Sequence, residues 1–191
     1  MVIGVTGVIG SGKSTIVNYI KELTNCIVLD TDSMAKELMQ PGNIIYENVV
    51  SYFGKEILAS DKTINREILS KIVFTDESKR EALNKMTHGA VTKEVQRIID
   101  ENKDKLVVVE SALLFDTVLK DMCDSKWSVI TSYEEKKKRL MLNRGYSEEK
   151  VDRIIRTQRT NEEFEKMSDI VIKNDILEDA KEQVRKILKI F

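Results

Sequence analysis

The chain has 191 residues, with 31 basic and 32 acidic side chains and a net charge of -1. That length suits one α/β domain with a small insertion, and the balanced charge gives no whole-chain case for nucleic acid or an anionic membrane. Cys26 and Cys123 lie too far apart for a paired zinc motif, no apolar run approaches the ~20 residues of a membrane span, and the apolar start Val2 to Val5 lacks a basic flank. The expectation is a cytoplasmic monomer with no nucleic-acid and no membrane partner.

Apolar runs alternate with amphipathic stretches, the β-α-β-α pattern that buries a parallel sheet between helices. Strands are predicted at Val2 to Thr6, Cys26 to Leu29, Leu106 to Val109, Trp127 to Thr131 and Ile170 to Ile172, all short and rich in Val and Ile. The first helix runs from about Lys13 to Leu23, because Ile16, Val17, Ile20 and Leu23 recur on one face. Residues 41–105 show helical periodicity without a convincing strand, and they read as an inserted helical region. Its longest piece starts near Thr75 and presents Leu83, Met86, Ala90, Val91, Val95 and Ile98 on one face. Gly89 in the middle predicts a kink or a close approach. A basic helix, Glu134 to Asn143, leads through Arg144-Gly145-Tyr146 to the N-cap Ser147, and Thr160 to Glu163 has the form of a capping box. Residues 134–160 form the expected lid region. The last helix starts near Leu177, with Ala180, Val184, Ile187 and Leu188 facing the sheet.

Gly7-Val8-Ile9-Gly10-Ser11-Gly12-Lys13-Ser14 fits the P-loop pattern G-x-x-x-x-G-K-[ST] in the required context, after a strand and opening a helix. The glycines let the loop wrap closely, so backbone N–H groups from Val8 through Thr15 face the phosphates of a nucleoside triphosphate. Lys13 reaches the β and γ oxygens, and Ser14 is placed to ligate Mg²⁺. No D-x-x-G switch and no N-K-x-D guanine reader is present; Asn102-Lys103-Asp104-Lys105 resembles one only superficially. With no room for a motor's coupling domains, a kinase for a small acceptor remains.

Asp30-Thr31-Asp32 follows the second strand, and strand carboxyl ends in a parallel sheet share one crevice, which puts these carboxylates beside the P-loop. Asp32 reads either as the group that orients an acceptor hydroxyl and takes its proton, or as the N-cap of a helix beginning at Ser33. Glu110 reads as a Walker B-like acid for Mg²⁺ or as a solvated strand end. Arg139 and Arg144 flank the turn after the basic helix, where a lid would bring guanidinium groups onto the transferring phosphoryl. The neighbouring Lys136-Lys137-Lys138 run reads as a solvated helix face.

In order along the chain, Thr6 to Ser14, Asp30 to Ala35, Gln40 to Gly42, Phe53-Gly54, Arg66, His88, Leu113 to Asp116, Gln158 and Asn174 resemble the motif series of the dephospho-CoA kinase family. The resemblance implies an α/β P-loop kinase fold, with a five-stranded parallel sheet covered by helices on both faces, an inserted helical acceptor domain and a helical lid. It implies ATP and Mg²⁺ as donor and cofactor, dephospho-CoA as acceptor, and transfer to the ribose 3′-hydroxyl. Asp32 then matches the family's base, Arg66 and His88 match acceptor-side positions, and Asn174 lies in the segment passing the adenine. The chain departs from the family at Gly89, where proline is usual, at Ala112 and Asp116 in place of proline and glutamate, and at Asn143-Arg144, where the second lid arginine is displaced by one position. Two alternatives stay open: another P-loop kinase, for a nucleoside monophosphate or a sugar acid, and a nucleotide-binding regulator that has lost catalysis.

Overall fold

In the computed structural model, which describes residues 1–189, the apolar runs become five strands: β1 (Val2–Thr6), β2 (Ile27–Asp30), β3 (Val107–Glu110), β4 (Ser125–Ile130) and β5 (Ile170–Lys173). Nine α-helices are present among the described residues. They are α1 (Lys13–Thr24), α2 (Thr31–Leu38), α3 (Ile44–Phe53), α4 (Arg66–Thr75), α5 (Glu77–Glu101), α6 (Tyr133–Arg144), α7 (Glu148–Arg156), α8 (Asn161–Met167) and α9 (Leu177–Leu188). The sheet order is β2-β3-β1-β4-β5. β1 runs parallel to β3 and β4, with Val5 opposite Glu110 on one side and Trp127 on the other. β5 continues the sheet parallel to β4. This register matters for the site, because it brings the end of β3 level with the end of β1, where the glycine loop begins.

Side chains alternate between the two faces of a strand, and the core follows that period of two. Ile3, Val5, Val108, Trp127, Val129 and Ile172 join Ile16, Val17 and Ile20 of α1 and Ala180 and Val184 of α9 in one cluster. The other face gathers Val8, Phe115, Ile130 and Phe164, with Val171 packed against them. At about 1.5–3 kcal/mol for each large apolar side chain taken out of water, the three buried residues of α1 outweigh its intrinsic helix propensity. That packing is what holds α1, since its N-cap is Gly12, which offers no side-chain hydrogen bond. The first-turn N–H groups of α1 are therefore left to the loop and to whatever binds there.

The chain divides into two units, one built from Met1–Leu29 and the described residues from Asn102 onward, the other from Asp30–Glu101. The second unit is helical: α2, α3 and α4 each pack on α5, and its sole β element among the described residues is an isolated antiparallel bridge from Leu58 to Ile64. Ile45, Val49, Phe53, Ile57, Leu69, Val91 and Val95 are buried within it. The long helix expected to begin near Thr75 is α5, which starts at Glu77 directly after α4 ends at Thr75. Of the two expectations for Gly89, the close approach is corrected. α5 runs unbroken through it, and a Cβ added there meets nothing within 4 Å, so no close approach requires glycine.

Candidate phosphate site

The loop between β1 and α1 is shaped by what glycine alone tolerates. Gly7 and Gly12 have φ of +146° and +88°, and a Cβ on them would lie 2.3 Å from the Val129 carbonyl oxygen and 2.3 Å from Asn174 Nδ2 respectively. Both the dihedral and the space exclude larger residues. The loop closes with Ser11 N–H donating to Val8 O at 3.2 Å, and Lys13 Nζ reaches back to donate to Gly7 O at 2.8 Å. The lysine thus lies across the concave side of the loop. Val8 is anchored in the apolar cluster, Ser11 is buried, and the α1 amides from Lys13 to Thr15 follow without side-chain caps. Gly10 and Ile9 are partly exposed. Backbone donors, a helix N-terminus and a lysine in one concavity make a site for anionic oxygens.

Ser14 Oγ donates to Glu110 Oε1 at 2.6 Å, so the two residues expected to serve a metal meet although 96 positions separate them. A hydroxyl and a carboxylate oxygen suit Mg²⁺, a hard cation that takes one or two protein oxygens and completes its shell with water and substrate phosphates. Among the described residues there is no group of three or more His, Cys, Asp or Glu that would form a dedicated cage. The donor set fits Mg²⁺ bound together with a nucleotide.

Behind the loop stands a brace that the sequence did not reveal. Asn174 is 2% exposed, and its Nδ2 donates to Ser11 O at 2.7 Å. Arg139 spends its whole guanidinium on the same region. Its Nε donates to Glu135 at 3.0 Å, Nη1 to Gly10 O and Ser11 O at 3.4 and 3.3 Å, and Nη2 to Asn174 O and Asp175 O at 2.7 and 3.3 Å. Arg139 is therefore tied to the carbonyl side of the P-loop, whereas Arg144 is exposed and no described residue holds its guanidinium by a hydrogen bond or ion pair. The lysine run needs correction at one position. Lys136 is buried, donates to Asn161 Oδ1 at 2.9 Å, and burial pushes its pKa down; the solvated-face reading overlooked that α8 covers it.

A third set of contacts reaches the loop from the segment between α7 and α8. Gln158 Oε1 accepts from Ile9 N–H at 3.2 Å, and the next residue, Arg159, pairs with both oxygens of Asp116 at 2.6 and 2.5 Å. The hydrogen bonds from Arg159 hold the Asp116 carboxyl below the usual carboxylate range. Only the resemblance pointed to Asp116 and Gln158. Arg159 had no signal, because its partner lies 43 residues away and ion pairs between distant segments leave no spacing rule in a sequence.

In the helical unit, the N-cap of α2 is Asp30. Its side chain accepts from Asp32 N–H at 3.0 Å and Ser33 N–H at 3.3 Å, and from Ser33 Oγ at 2.6 Å. The helix begins at Thr31, so the capping alternative for Asp32 is corrected. Asp32 lies exposed in the first turn, and its carboxylate accepts no hydrogen bond from any described residue. Arg66 is exposed at the start of α4 and lines a cavity of about 200 Å³ with Met39, Gln40, Thr63 and Ile64. His88 is exposed on α5.

The family model described as dephospho-CoA kinase matches residues 1–179. A dephospho-CoA kinase from Carboxydothermus hydrogenoformans is 38% identical over 192 residues, covering 98% of this chain and 93% of the relative. Among solved structures, a protein from Thermus thermophilus superposes with a TM-score of 0.83 at 26% identity, covering 100% of this chain and 96% of its own. Dephospho-CoA kinase from Campylobacter jejuni superposes with a TM-score of 0.71 at 25% identity, covering 98% and 95%.

Proposed function

The chain belongs to the dephospho-CoA kinase family, and from that premise we propose that it transfers the γ-phosphoryl group of ATP to the ribose 3′-hydroxyl of dephospho-CoA, releasing ADP and coenzyme A. The observation that carries the reading is the family match over residues 1–179, which spans the P-loop and the whole helical unit. The balanced charge supports action without a nucleic-acid partner, and no helix among the described residues is long and apolar enough to cross a membrane. A cytoplasmic monomer is the working form in this reading.

The P-loop amides other than those of Ile9 and Ser11, which donate to Gln158 and Val8, bind the β- and γ-phosphates with Lys13 and fix the donor for in-line transfer. Mg²⁺, when bound through Ser14 and Glu110, would neutralise charge on the phosphate oxygens. Asn174 serves ATP through the loop it supports, and Arg139 does the same. Arg144, exposed at the end of α6, is the arginine left to meet the transferring phosphoryl. Asp32 accepts the proton of the acceptor hydroxyl. With capping assigned to Asp30, its carboxylate has no structural duty that would hold it back. Arg66 and His88 contact the acceptor from the helical unit.

Asp32→Asn tests the base. Its kcat should fall by about two to four orders of magnitude while the ATP KM stays within about twofold, since the lost proton acceptor acts only in transfer. Near-normal turnover would remove Asp32 from the reaction.

A further inference from the structure

The leading arm of the P-loop, Val8-Ile9, has no helix of its own to hold it. Lys13, Ser14 and Thr15 sit on α1, and Gly10 and Ser11 are held by Arg139 and Asn174. Ile9 N–H instead donates to Gln158, an exposed side chain in the short linker between α7 and α8. An exposed glutamine has several rotamers to lose, so it holds one acceptor position only if its backbone is fixed from elsewhere. Its own N–H donates to Ile155 O at 3.1 Å, which ties it to the end of α7, and the neighbouring residue supplies the second tie. The fork of Arg159 grips both oxygens of Asp116, a planar two-bond geometry that fixes direction as well as distance.

Two adjacent-residue pairs share one pattern, and a third pair supplies their polar partners. In Val8-Ile9 and Phe115-Asp116 an apolar side chain is buried in the common cluster while its neighbour makes the polar contact. Gln158-Arg159 carries the two polar partners, and Phe164 of α8 closes the cluster with its ring centroid 6.2 Å from that of Phe115. We propose that the Asp116–Arg159 ion pair is a positioning device, holding Gln158 on Ile9 N–H and so presetting the leading arm of the P-loop for the triphosphate. Asp116, Arg159 and Gln158 act through the loop and are positioning residues. This rests on the reading of the loop as an ATP site, and not on the identity of the acceptor. A half-exposed ion pair contributes little to global stability, so the pair's effect is expected in nucleotide binding and not in melting temperature.

The test is a double-mutant cycle on ATP affinity, measured by calorimetry with Mg²⁺ and no acceptor, on Gln158→Ala, Arg159→Met and the double variant, with Asp116→Asn as a second way to break the pair. Each single variant should bind ATP about fivefold more weakly, the loss a hydrogen bond of ordinary strength gives, with the melting temperature little changed. The double variant should be no weaker than the worse single, because both changes remove the same support. Losses that multiply in the double variant, or wild-type affinity in both Arg159→Met and Asp116→Asn, overturn the inference while leaving the kinase reading intact. Wild-type protein that binds no ATP overturns both. Because no acceptor is present, a wrong acceptor assignment leaves this experiment untouched.

Discussion

At the residue scale, Gly12 and Gly89 show how much the meaning of one amino acid depends on its surroundings. Gly12 has φ of +88° with Asn174 Nδ2 2.3 Å from where a Cβ would stand, whereas Gly89 lies inside α5 with open space around it. The same substitution should therefore act with opposite sign at the two sites. Gly12→Ala places an L-residue in a conformation costing about 1–3 kcal/mol and displaces Asn174, so it should lower the melting temperature and weaken ATP binding by tenfold or more. Gly89→Ala should stabilise by about 0.5–1 kcal/mol through helix propensity. Paired thermal melts and an ATP titration check this; a Gly12→Ala protein with unchanged affinity would contradict the account of the loop. The P-loop was legible because its chemistry is contiguous, eight residues whose order alone dictates the turn. Arg139 was legible only as an arginine near a turn, since its true partners, Gly10, Ser11 and Asn174, are brought to it by the sheet. Asp30 and Asp32 both stand at a strand end, and only the observed start of α2 tells which of them is the cap.

At the element scale, several ends are tied down by carboxylates. Asp175 accepts from Ser132 N–H at 2.8 Å, linking the segment after β5 to the start of α6. Asp169 pairs with Lys126 at 2.9 Å, linking the entry of β5 to β4, and Asp116 pairs with Arg159. Hydrogen bonds from Ser132, Lys126 and Arg159 respectively hold the three carboxyls below their usual range. A carboxyl whose pKa is depressed in the folded state adds stability that is complete above its unfolded value, about 3.9, and is lost as pH falls through the folded value. Through Asp175 and Asp169, which also accept backbone N–H groups, the melting temperature should thus be level from neutral pH down to about 5 and drop below about 4, with little added by the half-exposed Asp116–Arg159 pair. A curve that stays level to pH 2 would show that these ties do not contribute. The element pattern was largely readable because strands of Val and Ile and caps such as Ser147 and Thr160 are local signals: Ser147 accepts from Lys150 N–H, and Thr160 forms the reciprocal box with Glu163. Boundaries moved by one or two residues where strand pairing carries on past the apolar run, as at Ser125 and Glu110.

At the scale of the whole molecule, the glycine loop, Lys13 and the Ser14–Glu110 pair lie in one unit, and the family match extends through the helical unit as well. The donor half could be argued from physical chemistry alone, through the loop, the lysine and the Ser14–Glu110 pair. The acceptor half could not, because nothing in helical periodicity names a ligand; it came from the ordered motifs and then from the family match. The central claim is therefore best tested on the acceptor. With γ-labelled ATP and Mg²⁺, the label should pass to dephospho-CoA at its ribose 3′-hydroxyl, giving labelled coenzyme A and one ADP for each, with little transfer to AMP, shikimate or gluconate. Label that goes preferentially to one of those acceptors, or that stays in ATP with every acceptor supplied, would contradict the account.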